Sequence, residues 1–297
     1  MTRLHLSLVV VAAAVVVAAI VAGALRDAAV LAGRGDFLAS TGGDRAVLWA
    51  VGDGADGTDK AKAVAARIAT GRVDRLLYLG DVYGAGVLHA DGDAEDYRDR
   101  YLSVYGRFVA RTSPTPGNHE WPQRTQGYLA FWSSRTRPMP AYYAFETAGW
   151  RILSLNSEAP HGAGSPQVRW LTRQLARPGT CRLAYWHRPR FSAGRHGDQA
   201  DVAPLWNALR GHAAIVVNGH DHDMQRLHPI DGITELVSGA GGHGLYALKR
   251  DPRLAFGHDD GYGALRITLT SGRADLAFVA ANGSVLDRHR VACTPVA

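Results

Sequence analysis

The chain has 297 residues, 46% of them hydrophobic and 20% charged, a balance that permits a buried core and excludes a disordered chain. Its formal net charge of +6 is carried by scattered arginines, with lysine only at Lys60, Lys62 and Lys249. The clustered basic footprint of a nucleic-acid binder is missing, so no stable nucleic-acid partner is expected.

The first element in chain order is apolar. Arg3 precedes "LSLVVVAAAVVVAAIVAGAL", a run of about the length that crosses a bilayer, and Ala22, Gly23 and Ala24 fit the small-residue pattern of a signal-peptidase site. Residues 1–35 are therefore read as a cleaved signal peptide or an N-terminal membrane anchor. Both readings export the rest of the chain, and the second adds membrane association. Residues 36–297 are read as one catalytic domain, because no repeat, low-complexity stretch or Pro-rich linker divides them.

A repeated grammar follows. "AVLWAVGD" (Ala46 to Asp53), "RLLYLGD" (Arg75 to Asp81), "RILSLNSE" (Arg151 to Glu158), "CRLAYWH" (Cys181 to His187) and "AAIVVNGH" (Ala213 to His220) are short apolar runs that each end on a polar, metal-capable residue. Such runs suit strands buried on both faces. Helix-like segments lie between several of them, at Lys60 to Ala69, Ala94 to Phe108, Pro166 to Ala176 and Val202 to Leu209, which predicts an α/β architecture with helices covering the sheets. From Ile233 onward "ITELVSGA", "GALRITLT", "ADLAFVAA" and "SVLDRHRVAC" read as strands without long helices, expected to complete a second sheet packed on the first. Cys181 and Cys293 sit at the start of one strand and the end of another; in an oxidising compartment such a pair is read as a disulfide, with two free thiols the alternative.

In open α/β sheets ligands bind beyond the carboxyl ends of strands. Here those ends deliver Asp53, Asp81, His187, His220 and His222, and the turn "TPGNHE" adds Asn118 and His119. Carboxylate with imidazole and no thiolate suits zinc, iron or manganese, and two such ions about 4 Å apart are a known device for phosphoryl transfer. A lone Asp before glycine is a turn former and a lone His a surface or core residue. That plainer reading is accepted for His89, His161, His212, His228, His258 and His289, and His243 in "GAGGHGLY" is assigned to a flexible glycine loop. Asn156 is expected near the site but not in it.

The ordered blocks "GD" at Asp53, "GD" at Asp81, "GNHE" at Asn118, His187 and "GHDH" at His220 and His222 resemble those of the calcineurin-like metallophosphoesterases. "PGNHEW", "YWHRPRFSAG" and "NGHDHDMQR" are similar to the branch that includes purple acid phosphatases. The resemblance spans roughly Ala46 to Tyr246. It implies a four-layer α/β/β/α sandwich of two mixed sheets flanked by helices, and a binuclear centre of Fe, Zn or Mn ions, divalent or mixed-valence. It further implies that Asp53 and His222 hold one ion, that Asn118, His187 and His220 hold the other, and that Asp81 bridges them. A hydroxide held by the metals would attack phosphorus, with His119 and His196 on the substrate side. The branch places a tyrosine ligand three residues after the bridging aspartate, whereas here Tyr83 follows Asp81 by two. A one-residue shift reverses side-chain direction along an extended strand, which leaves Tyr83 in question as a ligand. The implied activity is phosphomonoester hydrolysis on a small-molecule substrate outside the cytoplasm. A phosphodiesterase or nucleotidase on extracellular nucleotides or lipids, and a silent surface protein that binds a phosphorylated ligand, are the alternatives.

Overall fold

The computed structural model describes residues 33–40, 43–84, 91–133 and 138–293. Two mixed sheets carry the fold. The first runs in the order β13 (Val285–Ala292), β12 (Arg273–Ala280), β11 (Gly263–Thr270), β1 (Arg45–Val51), β2 (Arg75–Tyr78) and β3 (Thr112–Pro114). The second runs β10 (Leu254–His258), β8 (Met224–Leu227), β9 (Thr234–Ser238), β7 (Ile215–Asn218), β6 (Cys181–Tyr185), β5 (Trp150–Ser154) and β4 (Tyr143–Thr147). The central strands of each sheet are parallel, β1 to β2 to β3 and β5 to β6 to β7 to β9, and antiparallel strands flank them.

Burial follows from helices on both outer faces. The helix Asp59–Ala69 starts at Thr58, whose hydroxyl caps the Ala61 amide, and it turns Ala61, Val64, Ala65 and Ile68 inward. The helix Pro166–Leu175 starts from Ser165 with proline in its first turn, and with Ala203–Leu209 it buries Trp170, Leu171, Trp206 and Leu209 against the second sheet. With both faces covered, β6 and β7 are buried along their whole length, as their unbroken apolar sequences require.

Two expectations need correction. The C-terminal strands do not together complete the second sheet: β11, β12 and β13 extend the sheet that β1 and β2 begin, while β9 joins β7 in the other. The helix read over Ala94 to Phe108 is not continuous, since Tyr97–Tyr101 is wound as a π-helix and Gly106–Arg111 as a 3-10 helix. A stack of rings, Tyr97 on Phe131 at 4.7 Å and Tyr101 edge-on to Trp132 at 5.4 Å, fixes the π segment. Near the start of the described residues, Arg34 and Phe37 donate backbone hydrogen bonds to the Tyr142 and Ala144 carbonyls at 3.1 and 2.9 Å.

The apolar run of residues 1–32 lies outside the described residues, as does His89. No helix among the described residues is long and apolar enough to cross a membrane. Cys181 and Cys293 are joined in a disulfide with a Cα separation of 5.8 Å.

Candidate metal centre

The strand ends meet at one edge of the sandwich. Three of the residues there adopt left-handed backbone conformations although they are not glycine: Asp53 at φ 57°, Asp81 at φ 66° and His220 at φ 72°. Such geometry costs about 1–3 kcal/mol per residue and persists where surrounding structure fixes it. Here tight backbone approach fixes it. A Cβ on Gly80 would stand 2.5 Å from the Gly117 amide nitrogen and 2.9 Å from His187 Nδ1, and one on Gly117 would collide with the Asp81 carboxylate.

All six residues expected to bind metal are brought together, in two groups. In one, His187 Nε2 lies 3.0 Å from Asn118 Oδ1, 3.1 Å from His220 Nδ1 and 3.4 Å from Asp81 Oδ1. In the other, His222 Nε2 lies 3.5 Å from Asp53 Oδ1. The donor chemistry fits a cation. His187 Nδ1 donates to the Leu79 carbonyl at 2.8 Å and His222 Nδ1 to the Gly244 carbonyl at 2.6 Å, which turns each Nε2 lone pair into the site. Asn118 Oδ1 and Asp81 Oδ1, both acceptors, then face the His187 Nε2 lone pair, and a proton or a metal ion between them reconciles the three. Burial opposes charge on His187, yet the Asp81 and Asp53 carboxylates outweigh it and push the ring up to about 10. Ligand atoms of Asp81, His187 and His220 all lie within 4.8 Å of one another.

Tyr83 enters the second group by a route the strand register does not show. The left-handed turn at Asp81 redirects the chain, so the phenol oxygen comes within 3.3 Å of Asp53 Oδ1, 3.3 Å of Asp81 Oδ2 and 3.1 Å of His222 Nε2. Asp81 therefore sits between the groups, with Oδ1 toward His187 and Oδ2 toward Tyr83. Burial and the two carboxylates hold the Tyr83 phenol well above its usual range.

The two histidines expected on the substrate side differ in support. His119 donates its backbone N–H to Asp81 Oδ1 at 3.1 Å, its Nδ1 pairs with the Asp91 carboxylate, and its side chain remains 37% exposed. His196 stacks on His220 at 4.2 Å and is exposed; its backbone N–H donates to Asp221 Oδ1 at 2.8 Å. Partial burial of the ring, with His222 and Arg195 nearby, holds its imidazole below the usual histidine range against the pull of Asp221.

His243 is not in a loose loop. Its backbone N–H donates to the Asp53 carbonyl at 3.0 Å, and its ring stacks on Tyr83 at 3.9 Å with 10° between planes. Asp91 and Glu120 also carry weight that the sequence did not announce. Glu120 is fully buried and accepts the Asp81 and Val82 amides at 3.0 and 3.3 Å, and burial with the Asp81 charge pushes its carboxyl up to about 8. The "GNHE" turn thus holds the loop that carries Asp81. Asn156 stays outside the site, where its side chain accepts the Glu158 and Ala159 amides.

The family model described as calcineurin-like phosphoesterase matches residues 46–224. No curated protein matches the chain. Among solved structures, GAP50, the anchor in the inner membrane complex of Plasmodium, is 16% identical with a TM-score of 0.69, over 85% of this chain and 90% of its own. PhoD is 13% identical with a TM-score of 0.61, over 87% of this chain and 74% of its own. A dimetal phosphatase from Danio rerio is 14% identical with a TM-score of 0.56, over 84% of this chain and 99% of its own. At these identities the likeness is one of fold.

Proposed function

The chain belongs to the calcineurin-like phosphoesterase family, and on that premise we propose that it hydrolyses phosphomonoesters at a binuclear metal centre, acting outside the cytoplasm. The observation that carries this reading is the pair of donor groups that share Asp81. Asn118, His187 and His220 would hold one ion, Asp53, His222 and the Tyr83 oxygen the other, and Asp81 both. When bound, the ions supply Lewis acidity toward phosphoryl oxygens and lower the pKa of a coordinated water.

The rest of the chemistry belongs to the chain. His119 is the proton donor to the departing oxygen. Asp91 fixes the His119 ring through Nδ1, and this leaves Nε2, 3.7 Å from Asp81 Oδ2, as the atom that carries the transferable proton. His196, held by Asp221 and stacked on His220, faces the same space and hydrogen-bonds the phosphoryl group. Action outside the cytoplasm is supported by the Cys181–Cys293 disulfide, a bond kept in oxidising compartments.

The test is metal analysis of purified protein beside a panel of a phosphomonoester, a bis-aryl phosphodiester and pyrophosphate. The reading expects close to two ions per chain and fastest turnover of the monoester. Preferred cleavage of the diester replaces the monoesterase with a phosphodiesterase. Bound metal with no turnover of any of the three leaves a ligand-binding protein and defeats the enzyme.

A further inference from the structure

Resting on the phosphoester reading above, we propose that Arg195 and Lys249 form a second anion subsite on the lip of the metal centre. It selects phosphomonoesters whose leaving portion carries another phosphoryl group.

Arg195 lies in the segment Ser192 to His196, which hangs beside the candidate ligands on a buried polar frame. The Ala193 amide donates to Gln225 Oε1 at 2.8 Å, the Gly194 amide to Ser192 Oγ at 2.9 Å and the His196 amide to Asp221 Oδ1 at 2.8 Å. Asp221, the residue between His220 and His222, is fully buried, and a Cβ on Gly194 would collide with its carboxylate. The backbone that presents Arg195 is therefore fixed by the same strand end that presents the ligands.

The side chain is placed as well. The Arg195 guanidinium lies 5.0 Å from the centre of the Tyr246 ring, and Tyr246 stacks on His222 at 4.0 Å with 11° between planes. The cation thus stands one ring away from a candidate metal ligand. Lys249 joins it from the neighbouring segment. Its backbone N–H donates to the Ala193 carbonyl at 2.8 Å and its Nζ to the Arg195 carbonyl at 3.0 Å, so the two segments are stapled with both cations on one lip.

Charge balance separates these two from their neighbours. Arg188 is held by both oxygens of Glu158 at 2.9 Å each, and Arg253 is held by Asp198 and Asp251. Arg195 and Lys249 are exposed, and among the described residues neither has a carboxylate partner. Positive charge left unpaired beside a centre that already takes one phosphoryl group fits a second anion on the same substrate. A guanidinium beside an ammonium suits the several oxygens of a phosphoryl group.

The test compares n-propyl phosphate with propane-1,3-diyl bisphosphate, which share a leaving-group type and differ in the distal phosphoryl. Wild type should favour the bisphosphate in kcat/KM, and Arg195→Ala with Lys249→Ala should lower the ratio between the two by about tenfold. Arg195→Lys should restore part of it. A second arm uses calorimetry of methylphosphonate and propane-1,3-bisphosphonate, neither of which can be hydrolysed, on protein of verified metal content. The bisphosphonate should bind more tightly, and the double variant should lose that difference. An unchanged ratio, or equal binding of both phosphonates to wild type, overturns the subsite. If wild type hydrolyses neither ester, the phosphoester reading fails, and the calorimetry alone decides whether the subsite exists.

Discussion

Strand β6 begins at Cys181, in the disulfide to Cys293, and its chain continues past Tyr185 to His187 in the metal centre. The two ends of this strand therefore invite direct comparison. At the disulfide end Trp150 and Cys181 are buried, Cys293 is partly buried, and the Trp150 indole donates to the Thr270 carbonyl at 2.8 Å. That end also has a left-handed non-glycine residue, Ala148 at φ 49°, but it is paired with Gly149 at φ 77° in the two-residue hairpin between β4 and β5, a turn that demands positive φ. At the metal end the same conformation at Asp53, Asp81 and His220 closes no hairpin. It aims carboxylates and imidazoles inward. The same strain serves chain reversal at one end and ligand placement at the other, so damage to the two ends should be separable.

The largest effect is expected from Asp81→Asn, which should remove metal from both groups and lower kcat/KM by about a hundredfold or more, since even residues behind the ligands can be worth that much. Its metal-free form should still fold but melt below metal-free wild type, because the attraction of His187 and His119 that, despite burial, holds the Asp81 carboxyl well below its usual range is lost. Circular dichroism with metal analysis checks both; two ions retained with native turnover would remove Asp81 from the bridge. Next comes His119→Ala, expected to cost about 10² to 10⁴ in rate on an alkyl phosphate and far less on p-nitrophenyl phosphate, whose leaving group needs no proton. Equal losses on both esters would end the acid role.

Cys181→Ser with Cys293→Ser should act in the opposite sense. The bond closes a sequence separation of 112 residues, worth on the order of 4 kcal/mol in the chain-entropy account, or about 10 °C of melting temperature. Turnover at 20 °C should stay close to native. A variant that melts like wild type, or one that loses metal, would break the division between the two ends.

The smallest effect concerns Glu235, which lies between them on β9. It accepts the Arg190 and Phe191 amides at 2.8 and 3.1 Å, yet burial outweighs these bonds and pushes its carboxyl up to about 8. The folded protein therefore binds this proton more tightly than the unfolded chain, whose carboxyl has its ordinary value of 4.5. Stability from this group is present below about pH 4.5 and lost as pH rises toward 8. Denaturant titrations of metal-free protein across that window should show Glu235→Gln with a flatter pH slope than wild type, and parallel slopes would refute the assignment.

Much of the metal end was legible because its ligands close apolar runs, so that Asp53, Asp81, His187 and His220 mark strand ends by position alone. Alternation in "GHDHD" was also readable in principle: His220 and His222 face the site, while Asp221 faces the segment Ser192 to His196. Tyr83, Asp91 and His243 were not, since each reaches the centre through a turn or loop whose direction is set by tertiary packing. Sheet membership was hidden for the same reason. β1 and β6 read alike as buried parallel strands, and nothing local to either says that β11 pairs with one of them. β3 holds only Thr112–Pro114 and ends in proline, too short to stand out as a strand.

The segment from Arg34 to Phe37 lies against β4, the outermost strand of its sheet. The Arg34 amide donates to Tyr142 at 3.1 Å, the Ala144 amide to Arg34 at 2.9 Å and the Phe37 amide to Ala144 at 2.9 Å. A sheet border left bare invites pairing with another molecule. These few residues act as a hem: a chain trimmed past Phe37 would keep every residue of the metal centre and still present an open seam along β4, through which one copy could zip to the next.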